Sequence, residues 1–276
     1  MSNARLAVTI TVQPWFRDHS FAGKIILPAV ETLLLLAAHV ADAFPDADIS
    51  VMEDMRFAKF LELPPKAATI EALVELSPDA ERKRVGAKLL TRRPCGKMSR
   101  IKEHGQVFFP LNDSGDYSPS RIDPTDPTDP TLPANSLQQI PVDQLYRELV
   151  PFGPQYQTLQ GTLYLTEDSA WGKIKAKDFS PLPMQDRLGS PFPLDGAMHA
   201  ASVLGQQQVD FTPLPVGIDR RVILRPTQPG DEYLTKVSAV ALSDKELVFD
   251  LLIFDRAGKV YETVKGLRMR DVRRKG

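Results

Sequence analysis

The sequence predicts an α+β protein built from two helix-in-sheet units in tandem. A run of strong helix formers from Val30 to Val40 is apolar on nearly every face, so it belongs inside the molecule. The runs that follow it are β-rich and divided by turn residues. Beyond a Pro- and Asp-rich stretch the same order, apolar helix and then β-runs, comes back.

Taken in order, Arg5 to Val12 alternates Leu6, Val8, Ile10 and Val12 against Ala7, Thr9 and Thr11, the mark of a half-buried strand. Pro28 stands where the first helical turn needs no backbone N–H, so the buried helix starts there and runs to about Ala43, with Glu31, Thr32 and His39 as its polar residues. Four β-runs follow: Ile49 to Phe60, Ala68 to Leu76, Val85 to Thr91 and Arg100 to Phe109. Between them lie Pro64-Pro65, Ser77-Pro78-Asp79 and Arg93-Pro94-Cys95-Gly96. A strand, a buried helix and an antiparallel meander make a sheet wrapped round a helix.

From Leu111 to Ile140 hydrophobic periodicity vanishes, and Asp123-Pro124-Thr125-Asp126-Pro127 opens a short Asp-Pro-Thr repeat of the kind that forms an extended connector. The division expected is residues 1–110, a linker over 111–140, and 141–276. In the second unit Val142 to Val150 reads as a short helix, Leu159 to Thr166 and Ala170 to Ala176 as a hairpin, and Asp195 to Gly205 as a second apolar helix. Three or four β-runs from Val216 to Arg270 close it. The last strands of the two units share a phrase, Gly105-Gln106-Val107-Phe108 against Gly258-Lys259-Val260-Tyr261, which is weak evidence of a repeat by itself.

Composition narrows the partners. Lys plus Arg total 34 against 35 for Asp plus Glu in 276 residues, a balance that does not suggest nucleic acid. The single cysteine, Cys95, excludes an intrachain disulfide and fits a reducing compartment, so the cytoplasm is expected. The N-terminus lacks the order of a signal peptide, and the best apolar run is broken by Pro28, Glu31 and His39, so no membrane span is expected. The tail Arg268 to Lys275 reads as a solvated basic end.

His19 lies just ahead of the first buried helix, whose free N–H groups point back towards it, so a base and an anion site meet there. In isolation each polar residue also has a structural reading. His19, His39 and His104 fit as satisfied packing residues, Asp195 as a helix cap, His199 as a packed side chain and Gly153-Pro154 as a turn. No close ligand spacing supports a metal at His19, Asp195 and His199.

Together the motifs resemble a known family. His19-xxx-Gly23-xxxx-Pro28 matches the HxxxGxxxxP motif of polyketide synthase dehydratase domains, Phe152-Gly153-Pro154-Gln155-Tyr156-Gln157 their YGPxFQ, and Leu194-Asp195-Gly196-Ala197-Met198-His199 their LDxxxQ/H segment, in the same order. The resemblance reaches Leu214-Pro215-Val216 and Gly266-Leu267-Arg268, and so covers the chain from His19 to about Arg270. It implies a double hotdog fold and a stand-alone dehydratase acting on 3-hydroxyacyl thioesters. No cofactor is implied beyond the phosphopantetheine arm of an acyl carrier protein or synthase module working in trans, and a second copy of the chain is a further candidate partner.

Such an elimination needs a base for the C2 proton, an acid for the departing hydroxyl and donors for the thioester oxygen. His19 suits the base. Asp195 suits the acid if burial keeps it protonated, and His199, one turn along the same helix face, suits its orientation. N–H groups near Gly23 and Ala29 are expected at the thioester oxygen, with Pro28, Phe152, Gly153 and Pro154 lining the substrate's path. Two residues depart from the family pattern. Ala29 replaces a usual glycine, which narrows the room but keeps the N–H, and Phe152 replaces a tyrosine and cannot donate a hydroxyl hydrogen bond. The same acid and base would also serve a double-bond isomerase or an aldol cyclase like the product-template domains. A different reading is a non-catalytic dehydratase-like subunit that only holds an acyl chain.

Overall fold

The computed structural model describes residues 4–95, 98–111, 138–179 and 184–272. The N-terminal half opens with β1 (Ala4–Thr11), a 3₁₀ turn (Pro14–Asp18) and a hairpin of β2 (Ser20–Phe21) and β3 (Lys24–Ile25). It continues through α1 (Ala29–Ala43), β4 (Val51–Arg56), β5 (Thr69–Asp79), β6 (Arg84–Cys95) and β7 (Met98–Pro110). The C-terminal half runs β8 (Gln138–Pro141), α2 (Val142–Glu148), a 3₁₀ turn (Pro154–Tyr156), β9 (Leu159–Leu165) and β10 (Ser169–Lys175). Then come α3 (Gln185–Leu188), α4 (Phe192–Gly205), β11 (Leu214–Ile223), β12 (Glu232–Leu242), β13 (Leu247–Phe254) and β14 (Val260–Arg270).

Twelve of these strands form one antiparallel sheet in the order β1-β5-β6-β7-β4-β11-β14-β13-β12-β10-β9-β8. The halves join at the β4–β11 seam, where Met52 lies opposite Arg221 and Val51 opposite Val222. Outward from the seam, β4, β7, β6, β5 and β1 on one side answer to β11, β14, β13, β12 and β10 on the other. In each half the helix is followed first by the seam strand and then by a three-strand meander. Helix α1 packs on β5, β6 and β7, and α4 on β9, β10, β12 and β13. The two helices also touch each other, so one curled sheet encloses both. The fold is the double hotdog.

Helix α1 is buried through Val30, Leu33, Leu34, Leu36, Ala37 and Val40, as its composition demands, while every residue of α4 is buried. Pro28 is the capping residue rather than the first helical one, and α4 begins at Phe192, three residues before Asp195, with Pro193 in its first turn. Gln138, Gln139 and Ile140, expected in the connector, are already strand and pair with β9; the rest of that connector, from 112 to 137, lies outside the described residues.

Two expected turns are strand instead. Ser77-Pro78-Asp79 ends β5, and Arg93-Pro94-Cys95 ends β6. Past Leu76, β5 no longer meets β1, and past Leu90, β6 no longer meets β5. Each proline therefore sits on a stretch with one strand neighbour among the described residues, where a missing N–H costs the ladder little. Leu6, expected on the core face of β1, is 40% exposed because β1 is an edge strand. The shared four-residue phrase is not a structural repeat: Gly105 to Phe108 lies inside β7, whereas Gly258 and Lys259 precede β14. Arg268 and Arg270 are strand residues paired with Asp219 and Glu246, not part of a free basic end.

Candidate active site

The stretch from His19 to Pro28 is a fold-back. Ala22 and Gly23 both take positive φ, 49° and 75°, and two consecutive left-handed residues make the tight turn of the β2–β3 hairpin. The returning arm lays Ile26 beside His19: the Ile26 N–H donates to the His19 carbonyl at 3.0 Å, and His19 Nδ1 lies 3.1 Å from the Ile26 carbonyl oxygen. A carbonyl can only accept, so Nδ1 carries the ring proton and Nε2 keeps its lone pair. Gly23 is thus a turn residue and does not line the cavity described below, contrary to its expected contact with substrate. Pro28 ends the fold-back by accepting the Thr32 N–H and hydroxyl at 3.0 and 3.2 Å.

Asp18 ties this segment to the other half. Its carbonyl accepts the Gly153 N–H at 2.7 Å and its Oδ2 accepts the Gln155 N–H at 2.9 Å. A Cβ at Gly153 would fall 2.6 Å from Asp18 Cγ, so glycine there is a condition of the close approach. Gly153 and Pro154 therefore work as the clamp between halves and do not line the cavity. The clamp sets Phe152 between two imidazoles. Its ring stacks on His19 at 4.5 Å and 10°, and on His199 at 5.0 Å and 28°.

Asp195 and His199 lie one turn apart on α4, as their spacing predicts, with Asp195 Oδ2 3.1 Å from His199 Nε2. The contact is too bent to count as a hydrogen bond, and both atoms are buried with no hydrogen-bond partner among the described residues. His199 Nδ1 faces the hydroxyl of Tyr146 on α2 at 3.3 Å, and that hydroxyl also accepts the N–H groups of Thr158 and Leu159, each at 3.0 Å. Tyr146 and Asp18 escaped the sequence reading. The available signal for Tyr146 was a tyrosine on the inward face of a short amphipathic helix, whose hydroxyl needs a partner once buried.

A cavity of about 60 Å³ brings His19, Ala29, Phe152, Asp195 and His199 to one space, with Ile26, Leu27, Phe60, Val150 and Met198 in its apolar wall. His104 joins that wall, but its ring nitrogens are engaged by Thr91 and the Lys59 carbonyl, and His39 is bonded to the Leu35 carbonyl one turn back, so both are structural. Burial holds the His19 imidazole below its ordinary value of 6.5, with Asp195 opposing and His199 adding to the shift. Among the described residues no cluster of His, Cys, Asp and Glu is arranged to hold a metal ion, and no helix is long and apolar enough to cross a membrane.

The family model described as polyketide synthase dehydratase N-terminal domain matches residues 124–276, and that described as polyketide synthase dehydratase domain matches 3–88. The chain belongs to the polyketide synthase dehydratase family. Among solved structures it is similar to the dehydratase domain of the CurJ module of Curacin polyketide synthase, with a TM-score of 0.74 at 16% identity over 97% of this chain and 91% of that one. A trans-AT polyketide synthase dehydratase domain from Brevibacillus brevis gives 0.73 at 19% identity, covering 97% and 93%. The bifunctional dehydratase-cyclase domain of ambruticin biosynthesis gives 0.68 at 17%, covering 97% and 91%. At these identities the structural likeness speaks for the double hotdog fold. No match was found among curated protein sequences. Of the residues that the three motifs share with the family, His19, Asp195 and His199 line the cavity, whereas Gly23, Pro28, Gly153 and Pro154 build the hairpin, cap and clamp around it.

Proposed function

We propose that this dehydratase removes water from a 3-hydroxyacyl thioester delivered on the phosphopantetheine arm of an acyl carrier protein. The observation that carries the reading is a neutral imidazole from one half and a carboxyl group from the other, lining one apolar cavity. His19 Nε2 takes the C2 proton, the C2–C3 double bond forms as the C3–O bond breaks, and Asp195 gives its proton to the departing hydroxyl, which leaves as water. The depressed basicity of His19 keeps its lone pair free at neutral pH. Ala29, the first residue of α1, brings an N–H with no partner in its own helix to the cavity wall, where it serves the growing charge on the thioester oxygen. Base, acid and donor suffice for this step, so it draws on no cofactor of the protein's own.

The test is a direct assay with 3-hydroxyacyl thioesters of several chain lengths on a carrier protein or a pantetheine mimic, followed towards the enoyl product and in the reverse hydration. Wild-type protein is expected to convert them. His19→Ala and Asp195→Asn are each expected to lose about 10²–10⁴-fold in kcat, the usual share of a general acid or base. Binding without conversion would replace this reading with that of an acyl-holding subunit.

A further inference from the structure

We infer that Tyr146 is a positioning residue that selects the tautomer of His199 and, through it, the oxygen of Asp195 that carries the transferable proton. A phenol oxygen has one hydrogen to donate and two lone pairs. Both lone pairs of Tyr146 are taken by the backbone N–H groups of Thr158 and Leu159, which can only donate. The hydroxyl hydrogen is therefore left for an acceptor, and of the two beside it, Thr158 Oγ1 and His199 Nδ1, only His199 Nδ1, 3.3 Å away, meets it in hydrogen-bond geometry. An Nδ1 that accepts puts the ring proton on Nε2, the nitrogen that stands 3.1 Å from Asp195 Oδ2. Burial raises the Tyr146 hydroxyl well above its ordinary range, so the donor persists at working pH.

The consequence falls on the acid. Facing an N–H, Oδ2 is held as the carbonyl-type oxygen of a protonated Asp195, and the proton sits on Oδ1, free for the substrate. With the other tautomer, the Nε2 lone pair would draw the carboxyl proton towards itself and away from the reacting hydroxyl. Nε2 and Oδ2 stand 3.1 Å apart without hydrogen-bond geometry, and the last carboxylate torsion, which is broad, is the freedom by which Asp195 turns towards the N–H. This inference rests on the dehydratase reading for its catalytic consequence but not for the tautomer itself.

The deciding measurement is ¹⁵N NMR of the histidine ring in the full chain, with the His199 signals assigned from the His199→Gln variant. A pyrrole-type Nε2 and a pyridine-type Nδ1 are expected in wild type, and Tyr146→Phe should yield mixed tautomers and lower kcat by about tenfold with little change in KM, the scale of one lost hydrogen bond. A glutamine in place of His199 can donate with its amide and accept with its oxygen whatever Tyr146 does. The Tyr146→Phe effect on kcat should therefore shrink to within a few-fold in the His199→Gln background. An Nδ1–H or mixed tautomer in wild type overturns the inference, as does a full tenfold loss that persists in the His199→Gln background. If Tyr146→Phe does not fold, the wild-type spectrum decides alone. A single Nε2–H tautomer in a protein that dehydrates nothing would uphold the positioning role and sink the proposed reaction.

Discussion

Helices α1 and α4 hold matching places in the two halves, and four residues after the capping proline each buries a polar side chain to the same degree: Thr32 and Asp195, both 5% exposed. Thr32 uses its hydroxyl inside its own helix, on the Pro28 carbonyl. Asp195 has no such local partner and faces His199 across the bent contact already described, while the position matching His199 in α1 is Leu36. One position earlier the contrast reverses, with Glu31 in α1 against Leu194 in α4. Equal burial thus leaves one helix satisfied and the other reactive, and the difference lies in whether the polar atom can close a bond within its own turn.

The largest effect that sharpens this comparison is kinetic. Asp195→Asn should lose about 10²–10⁴-fold in turnover, whereas Thr32→Val should stay within a few-fold and change stability by about 1 kcal/mol or less, as read by the thioester assay and urea unfolding. Equal losses would mean that both helices only pack.

Next comes the seam. Arg221 and Glu262, 1% and 3% exposed, pair at 2.7 and 3.0 Å beside Met52 of the other half. Glu262→Ala strands a buried guanidinium and should cost about 3–5 kcal/mol in denaturant unfolding, whereas removing the exposed partner in the Arg5–Glu75 pair should cost about 1 kcal/mol or less. Similar losses at the two sites would remove the seam's special weight.

Glu31 tests the reversed position. Burial pushes it up to about 7 from the usual 4.5, with the Trp15 indole opposing and Asp195 adding to the rise. The unfolded chain releases this proton first, so the stabilisation is full below 4.5 and is lost as pH climbs through 7. Glu31→Gln should therefore unfold like wild type near pH 4 and be more stable near pH 8, by at most about 3 kcal/mol. His19, held below 6.5, works in the opposite sense, losing stability as pH falls from 6.5 through its lowered folded value. A Glu31→Gln variant with no gain at high pH would show that the acid is solvated.

The smallest effect concerns the clamp. Gly153→Ala forces a Cβ against Asp18 and should cost about 1–3 kcal/mol, with a drop in kcat from displacement of His19. Unchanged turnover would detach the clamp from His19's alignment.

The apolar runs of α1 and α4, the succession of β-runs along the chain and the one-turn spacing of Asp195 and His199 were legible in the residues, because each depends on periodicity or on neighbours a few positions away, whereas the tight β2–β3 turn at Ala22 and Gly23 was not read. Turn positions at Pro78 and Pro94 were not, because a proline's effect depends on whether a strand has one neighbour or two, and that is a property of the sheet. The same holds for the site. Phe152 reads as a tyrosine without its hydroxyl, and only folding reveals its ring between His19 and His199. Tyr146 signals in its helix only that a buried hydroxyl needs a partner, not which one, since Thr158, Leu159 and His199 come from β9, the residue just before it and α4. Local bonding rules write helices and motifs into a chain, whereas the approach of His19 to Asp195 follows from closing one sheet around two helices, which no short stretch encodes.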